Sequence, residues 1–247
     1  MKTNLGVESF PRTAFLFAFC VAASVSKTFG STIESDSVGE KFLPPEYSSP
    51  NHPFSSTKNL YSAICDDYVL IEDGKMSLCL DKANGMRSIM LSGKELDLSW
   101  GENPHFWQWI SIPESRFDKV LELILGCPFK IHGSMKTRFL SPGTRYSAYV
   151  VYKTKYRIYD IQKSIGVGWI EYQTREGEKW ERQELTKVVE REDGWMEVNF
   201  GEFFNQEGLM DDDEIVFHIT EIKYSYWKPG FIIQGIDFRP VKKLWQS

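Results

Sequence analysis

From Lys75 to the end of the chain, short runs of alternating apolar and polar residues are separated by Gly, Pro, Asn and Asp. A period of two sends successive side chains to opposite faces of a strand, so each such run can bury one face and wet the other. Lys75–Leu80 and Arg87–Leu91 flank an Asn84-Gly85 pair, whose tolerance of positive φ favours a tight hairpin turn. Trp169–Gln173 alternates, and so does Trp195–Phe200, where Met196, Val198 and Phe200 share a face. Ile215, Phe217 and Ile219 repeat the pattern, as does FIIQGIDF up to Phe238. Strands at this spacing with turn signals between them predict a mainly β fold, an antiparallel sandwich or barrel. One segment departs from the pattern. Phe117, Val120, Leu121 and Ile124 fall at helical spacing and predict a helix over Glu114–Leu125, with Ser111 as its cap, Pro113 near its first turn and Gly126 as its stop.

Composition narrows the classes of function. The 247 residues are 42% apolar and 15% aromatic with eight Trp, enough for one sizeable core and too aromatic for a disordered chain. A net charge of −5, with no run of Lys or Arg beyond pairs, argues against a nucleic-acid-binding face. Mean hydropathy is −0.34. No apolar stretch reaches the roughly 18–20 residues of a membrane-spanning helix, so a membrane partner is not expected. Cys20, Cys65, Cys79 and Cys127 make no CxxC pair, which excludes a zinc ribbon or thioredoxin-like motif. Flanked by apolar residues, they read as reduced, partly buried thiols of a reducing compartment.

The first third has a different texture. Ala14 to Val25 is a twelve-residue apolar run after Lys2 and Arg12, a composition shared by secretory signal peptides and by buried core helices. Glu46–Thr57, rich in Ser and Pro, reads as a linker. A short helix follows over Lys58–Cys65, with Leu60 and Ile64 on one face.

Catalytic and metal motifs are missing. His52, His105, His132 and His218 do not pair at metal-ligand spacing, and there is no HExxH, GxSxG elbow, phosphate loop or dinucleotide fingerprint. On the polar face of its strand, His218 is expected to be exposed. Asp211, Asp212, Asp213 and Glu214 lack the alternation and glycine of a calcium loop and predict a solvated turn. Glu190, Glu192 and Asp193 sit in a charged segment with no apolar run to raise a catalytic pKa. No enzyme is expected. What stands out is aromatic: Trp100, Phe106, Trp107 and Trp109 crowd the stretch WGENPHFWQW around Asn103 and Pro104. Such indoles serve either as core or as stacking faces for pyranose rings. Strand alternation puts Trp107 and Trp109 on one face and so does not choose between these uses.

The stretch LDLSWGENPHFWQWISIPESRF, followed by CPFKIHGSMKTRFLSPGTRYSAYVVYK, REDGWMEVNFGEFFNQEG and YWKPGFIIQGIDFRP, resembles the plant phloem protein 2 family, the Nictaba-like lectins. The blocks lie in order across roughly residues 87–240. The resemblance implies a jelly-roll-like β-sandwich that binds N-acetylglucosamine oligomers and N-glycans without catalysis, metal or cofactor. The family's two sugar-binding tryptophans fall on Trp100 (in LSW) and Trp107 (in FWQW). Asn103 would then orient the sugar and Trp227, before Pro229, would stand at the rim, while Trp109 and Trp195 are expected in the core. Phe106 replaces the usual Tyr, and Pro229 stands where Ser or Gly is common.

Upstream, CVAASVSKTFGSTIESDSVGEKFLPPEY is similar to the second half of the F-box that precedes the lectin domain in one branch of this family. KNLYSAICDDYVLIEDGK is similar to that branch too. The resemblance implies docking on a Skp-type adaptor of a cullin–RING ubiquitin ligase, in the cytoplasm or nucleus. Two departures weaken that docking. The Leu-Pro-Glu opening and first F-box helix have no counterpart in residues 1–13, and Gly39 replaces a buried Trp, a truncation that costs roughly 3–5 kcal/mol in comparable cores. The expected organisation is a degenerate F-box-like segment over 1–45, a linker with a short helix over 46–74, and a lectin domain over 75–243. The alternatives are an adaptor-independent nucleocytoplasmic lectin, a protein-interaction paralogue, or a secreted protein cut after Ala14–Val25.

Overall fold

The computed structural model describes residues 64–65, 67–81, 85–125, 130–155, 167–174, 177–184, 188–206, 213–220 and 229–241. The chain forms two compact units, residues 1–67 with 80–86, and residues 68–79 with 87–247. In the first unit Ile64 and Cys65 are helical, Ile64 is fully buried, and Gly85 takes φ +67 in the expected turn. The F-box-like segment over 1–45 and the linker over 46–57 lie outside the described residues.

The second unit is an antiparallel β-sandwich. Its larger sheet is ordered β1 (Val69–Ile71), β2 (Met76–Leu80), β3 (Arg87–Ser92), β14 (Phe231–Pro240), β8 (Thr144–Thr154), β12 (Met196–Asn205) and β11 (Val188–Glu190). A side arm of β5 (Trp107–Ile110) and β6 (Val120–Leu123) joins it where β6 pairs with β14. The smaller sheet is ordered β10 (Gly177–Glu184), β9 (Val167–Thr174), β13 (Glu214–Thr220), β7 (Lys130–Lys136) and β4 (Asp97–Leu98). The expected strands are present in both sheets, including those built on Phe217 and on FIIQGIDF.

Aromatic rings close the space between the sheets. Phe217 of β13 lies 5.9 Å from Phe200 of β12 and 5.7 Å from Phe238 of β14, and Phe203 meets Phe238 edge-on at 5.9 Å. Directly across the ladder from Phe217 is Gly133. A Cβ there would stand 2.5 Å from the Phe217 ring, so the missing side chain is the space the ring occupies. Gly235 answers a similar demand in β14. At the bulge between Ile233 and Gly235, a side chain would overlap the Leu91 carbonyl.

The outer face of the larger sheet is divided. One part is dry, with Met90, Phe117, Val120, Val151, Trp195 and Ile232 packed together and Ile110 and Ile112 against them. The other part is ionic. Asp237, 1% exposed, accepts from Arg191 at 3.3 Å; Glu197 accepts from Arg191 at 3.4 Å and from Arg239 at 2.6 Å. Burial opposes the charge on Arg191, but Asp237, Asp193 and Glu197 outweigh it and raise its pKa. The Arg239 guanidinium carbon also sits over Tyr149, 3.8 Å from the ring centre.

The helix expected over Glu114–Leu125 is not formed. Val120–Leu123 is strand β6, inserted between β5 and β14 with all four residues buried. A short apolar run covered on both faces satisfies helical spacing by coincidence. Ser111 does not cap a helix, because its hydroxyl donates to the Asp118 carbonyl, and Ser115 accepts from the Phe117 N–H instead.

Gly133→Ala is expected to destabilise the domain by roughly 1–3 kcal/mol through overpacking against Phe217, read as a lower urea midpoint with an unchanged m-value. Asp237→Ala should cost about 2–3 kcal/mol, less than a fully orphaned buried charge because Glu197 still pairs with both guanidiniums. Thermal unfolding measures that loss directly.

Candidate functional site

The segment from Ser99 to Phe106 leaves β4, folds over the start of β5, and is pinned at both ends. The Ser99 N–H donates to the Lys130 carbonyl and the Ser99 hydroxyl accepts from the Lys130 N–H, both at 3.1 Å, which clamps the loop to β7. At the other end the Asn103 carbonyl accepts from Phe106 and Trp107, while its side-chain Oδ1 accepts from the His105 N–H at 3.0 Å. Asn103 is thus the turn-former of this loop.

Between the pins sits Trp100. It is 60% exposed and its backbone lies in the left-handed region at φ +63, a conformation that bulky residues rarely adopt. Hydrogen bonds on either side hold it there, Gly101 N–H to the Leu98 carbonyl at 2.8 Å and Asn103 N–H to the Trp100 carbonyl at 2.9 Å. Phe106 supports the indole from 5.6 Å, tilted by 31°.

Trp107 does not present a face. It is 3% exposed, and its Nε1–H donates to the Ser99 carbonyl at 3.1 Å, so it is the post on which the loop rests. Trp109, expected in the core, is 46% exposed. The two share a face as alternation requires, but the loop covers only the first. Trp195 is the core residue expected, fully buried with its Nε1–H donating to the Glu114 carbonyl. Trp227 lies outside the described residues.

Sequence reasoning missed one polar group. Glu122 of β6, 5% exposed, accepts from Gln108 Nε2 at 2.9 Å and pairs with Lys155. It lies in the same two-stranded arm as Trp109 and was hidden inside the expected helix. Histidines far apart in sequence also meet: His132 and His218 are directly opposite on β7 and β13, half-buried rather than exposed.

Residues 86–240 match the family model for phloem protein 2. The chain belongs to the phloem protein 2 family. It is 52% identical over 241 residues to the F-box protein At2g02240 of Arabidopsis thaliana, covering 90% of this chain and 74% of that one. It is 47% identical to the F-box protein PP2-B10 of the same plant, covering 96% of this chain and 95% of that one. Those relatives place it in the branch of the family whose members are named F-box proteins. Among solved structures, it is similar to a Clostridium thermocellum xylanase with CBM22-1 and GH10 modules complexed with xylohexaose, at 11% identity over 63% of this chain and 28% of that one, TM-score 0.34. It is also similar to a Caldicellulosiruptor saccharolyticus CBM27-1 in complex with mannohexaose, at 13% identity over 62% of this chain and 96% of that one, TM-score 0.34.

In this phloem protein 2 domain, Trp107→Ala removes a buried indole and its hydrogen bond together. The expected loss is about 3–5 kcal/mol of stability, with earlier exchange of the Asn103 and Gly101 amides than of the sheet core in hydrogen-exchange measurements.

Proposed function

We propose that this chain is a non-catalytic glycan-binding protein that takes N-acetylglucosamine-containing oligosaccharides on the Trp100 loop. The observation that carries the reading is the state of Trp100 itself. A large indole is held out of the core on a left-handed backbone by bonds on both flanks, an arrangement that lowers stability without serving packing. Its exposed face suits the C–H face of a pyranose or an N-acetyl methyl group. Trp107 and Asn103 act one step removed, by setting the loop's height and turn. Trp109, in the arm that follows the loop, supplies a second exposed aromatic face. A platform this shallow buries few ligand atoms, so affinity per sugar is low and gains come from longer oligomers.

In the same reading, residues 1–45 couple the bound glycoprotein to a Skp-type adaptor in the cytoplasm or nucleus, with docking weakened by Gly39. The 47% identity to an F-box protein over 96% of this chain supports that half. Co-purification of the full chain with an adaptor, lost on deleting residues 1–45, is the result it requires.

Trp100→Gly separates binding from folding. Glycine accepts positive φ at no steric cost, so the melting temperature should hold or rise slightly while binding to chitin oligomers is lost. Retained binding by the folded variant would remove Trp100 from the site.

A further inference from the structure

On the outer face of the smaller sheet, the fold brings together two side chains that the sequence keeps 86 positions apart. His132 of β7 and His218 of β13 are directly opposite in the antiparallel register. Their rings are tilted by 38° with centres 4.4 Å apart, and Nδ1 faces Nδ1 at 3.0 Å. Neither residue can turn away by rotating its strand. Each lies between inward-facing neighbours, Ile131 and Gly133 on one strand and Phe217 and Ile219 on the other, and these are locked in the core.

Two imidazole nitrogens that face each other so closely need an electrophile between them, because two bare lone pairs repel. A proton on one ring is the minimal solution, giving a single N–H···N bond. A metal ion is the other. Bonds of about 2.0–2.1 Å put two ligating nitrogens about 3.3 Å apart at a tetrahedral centre and about 2.9 Å apart at a right angle. The observed 3.0 Å lies between these values and nearer the right angle.

We propose that His132 and His218 form a two-histidine site for a late first-row divalent ion, with Cu(II), which favours right-angled nitrogen ligation, held most tightly. No further His, Cys, Asp or Glu among the described residues completes a set of three with them. The remaining coordination positions therefore belong to water or to an external donor, and the ion bridges β7 to β13 without being enclosed. The groups around the pair are mixed. Asp97 of β4 is the register partner of His132, Lys130 and Ser134 flank it along β7, Val216 and Thr220 flank His218 along β13, and position 169 on β9 is the register partner of His218. The acidic neighbour favours a cation and Lys130 opposes it.

The test titrates the full chain, stripped of metal, with CuCl2 and follows melting temperature and the copper electron paramagnetic resonance spectrum. The expected result is one Cu(II) per chain with nitrogen coupling from two imidazoles. Melting should rise by roughly 5–10 °C at a hundredfold excess over Kd. Affinity should fall at least tenfold in His132→Gln and in His218→Gln, and should be unchanged in His105→Gln. Unaltered uptake by the His132→Gln/His218→Gln double variant would overturn the proposal, as would no uptake by the folded wild type at tenfold copper excess. Should the variants fail to fold, the wild type still decides. Substoichiometric Cu(II) must broaden the His132 and His218 ring resonances before any others, and broadening that starts elsewhere refutes the site.

Discussion

The sandwich depends on one contact, the Phe217 ring seated over Gly133 and reaching across to Phe200 and Phe238. Any side chain at position 133 would hold β7 and the ring apart, and the inter-sheet aromatic cluster would lose its centre. The contact also fixes rotation. With Phe217 and Gly133 facing inward, period two dictates that His218 and His132 face outward. Core packing on one side of the sheet thereby determines the chemistry displayed on the other.

The larger sheet solves a different problem. Its outer face is too apolar at one end to be left in water, and the β5–β6 arm covers it by laying Ile110, Val120 and their neighbours over Met90, Val151 and Trp195. The arm that seals this patch is also the arm that begins at Trp107 and carries the Trp100 loop. Loop geometry is thus anchored at Ser99, whose carbonyl accepts from the buried Trp107 indole and whose hydroxyl accepts from the β7 backbone at Lys130. At the opposite end of the same face, Arg191, Glu197, Asp237 and Arg239 replace the missing cover with paired charge. Buried ionic groups of this kind are costly to separate and say little about net stability.

Strands such as β7 and β13 are legible because one face is more deeply buried than the other, which writes a period of two into the sequence. Ile215, Phe217 and Ile219 needed no further information. The same logic failed at Val120–Leu123, where burial on both sides erased the alternation and left a spacing that a helix also satisfies. Trp107 and Trp109 show a second limit. Alternation assigned them correctly to one face, yet whether that face is covered depends on a loop eight residues upstream folding back, as the bond from Trp107 to Ser99 records. The histidine pair shows a third. Its members lie on strands that become neighbours only through sheet topology, so no local spacing could announce them.

These limits share a cause that bears on how the family's binding residues are carried from one chain to another. A motif match transfers residue identity, whereas exposure is decided by what lies over the residue. Of the two tryptophans the resemblance singled out, one stands in solvent at 60% exposure and the other supports the loop from beneath at 3%. Under the proposed function, loss of either would abolish the same recognition, one by removing the face and the other by letting the loop collapse. A binding assay alone does not distinguish them; stability does, because the exposed indole sits on a strained backbone and the buried one holds the fold. Where sequence comparison finds two aromatics that matter equally, the structure can therefore assign them opposite thermodynamic roles, one costing stability and the other supplying it.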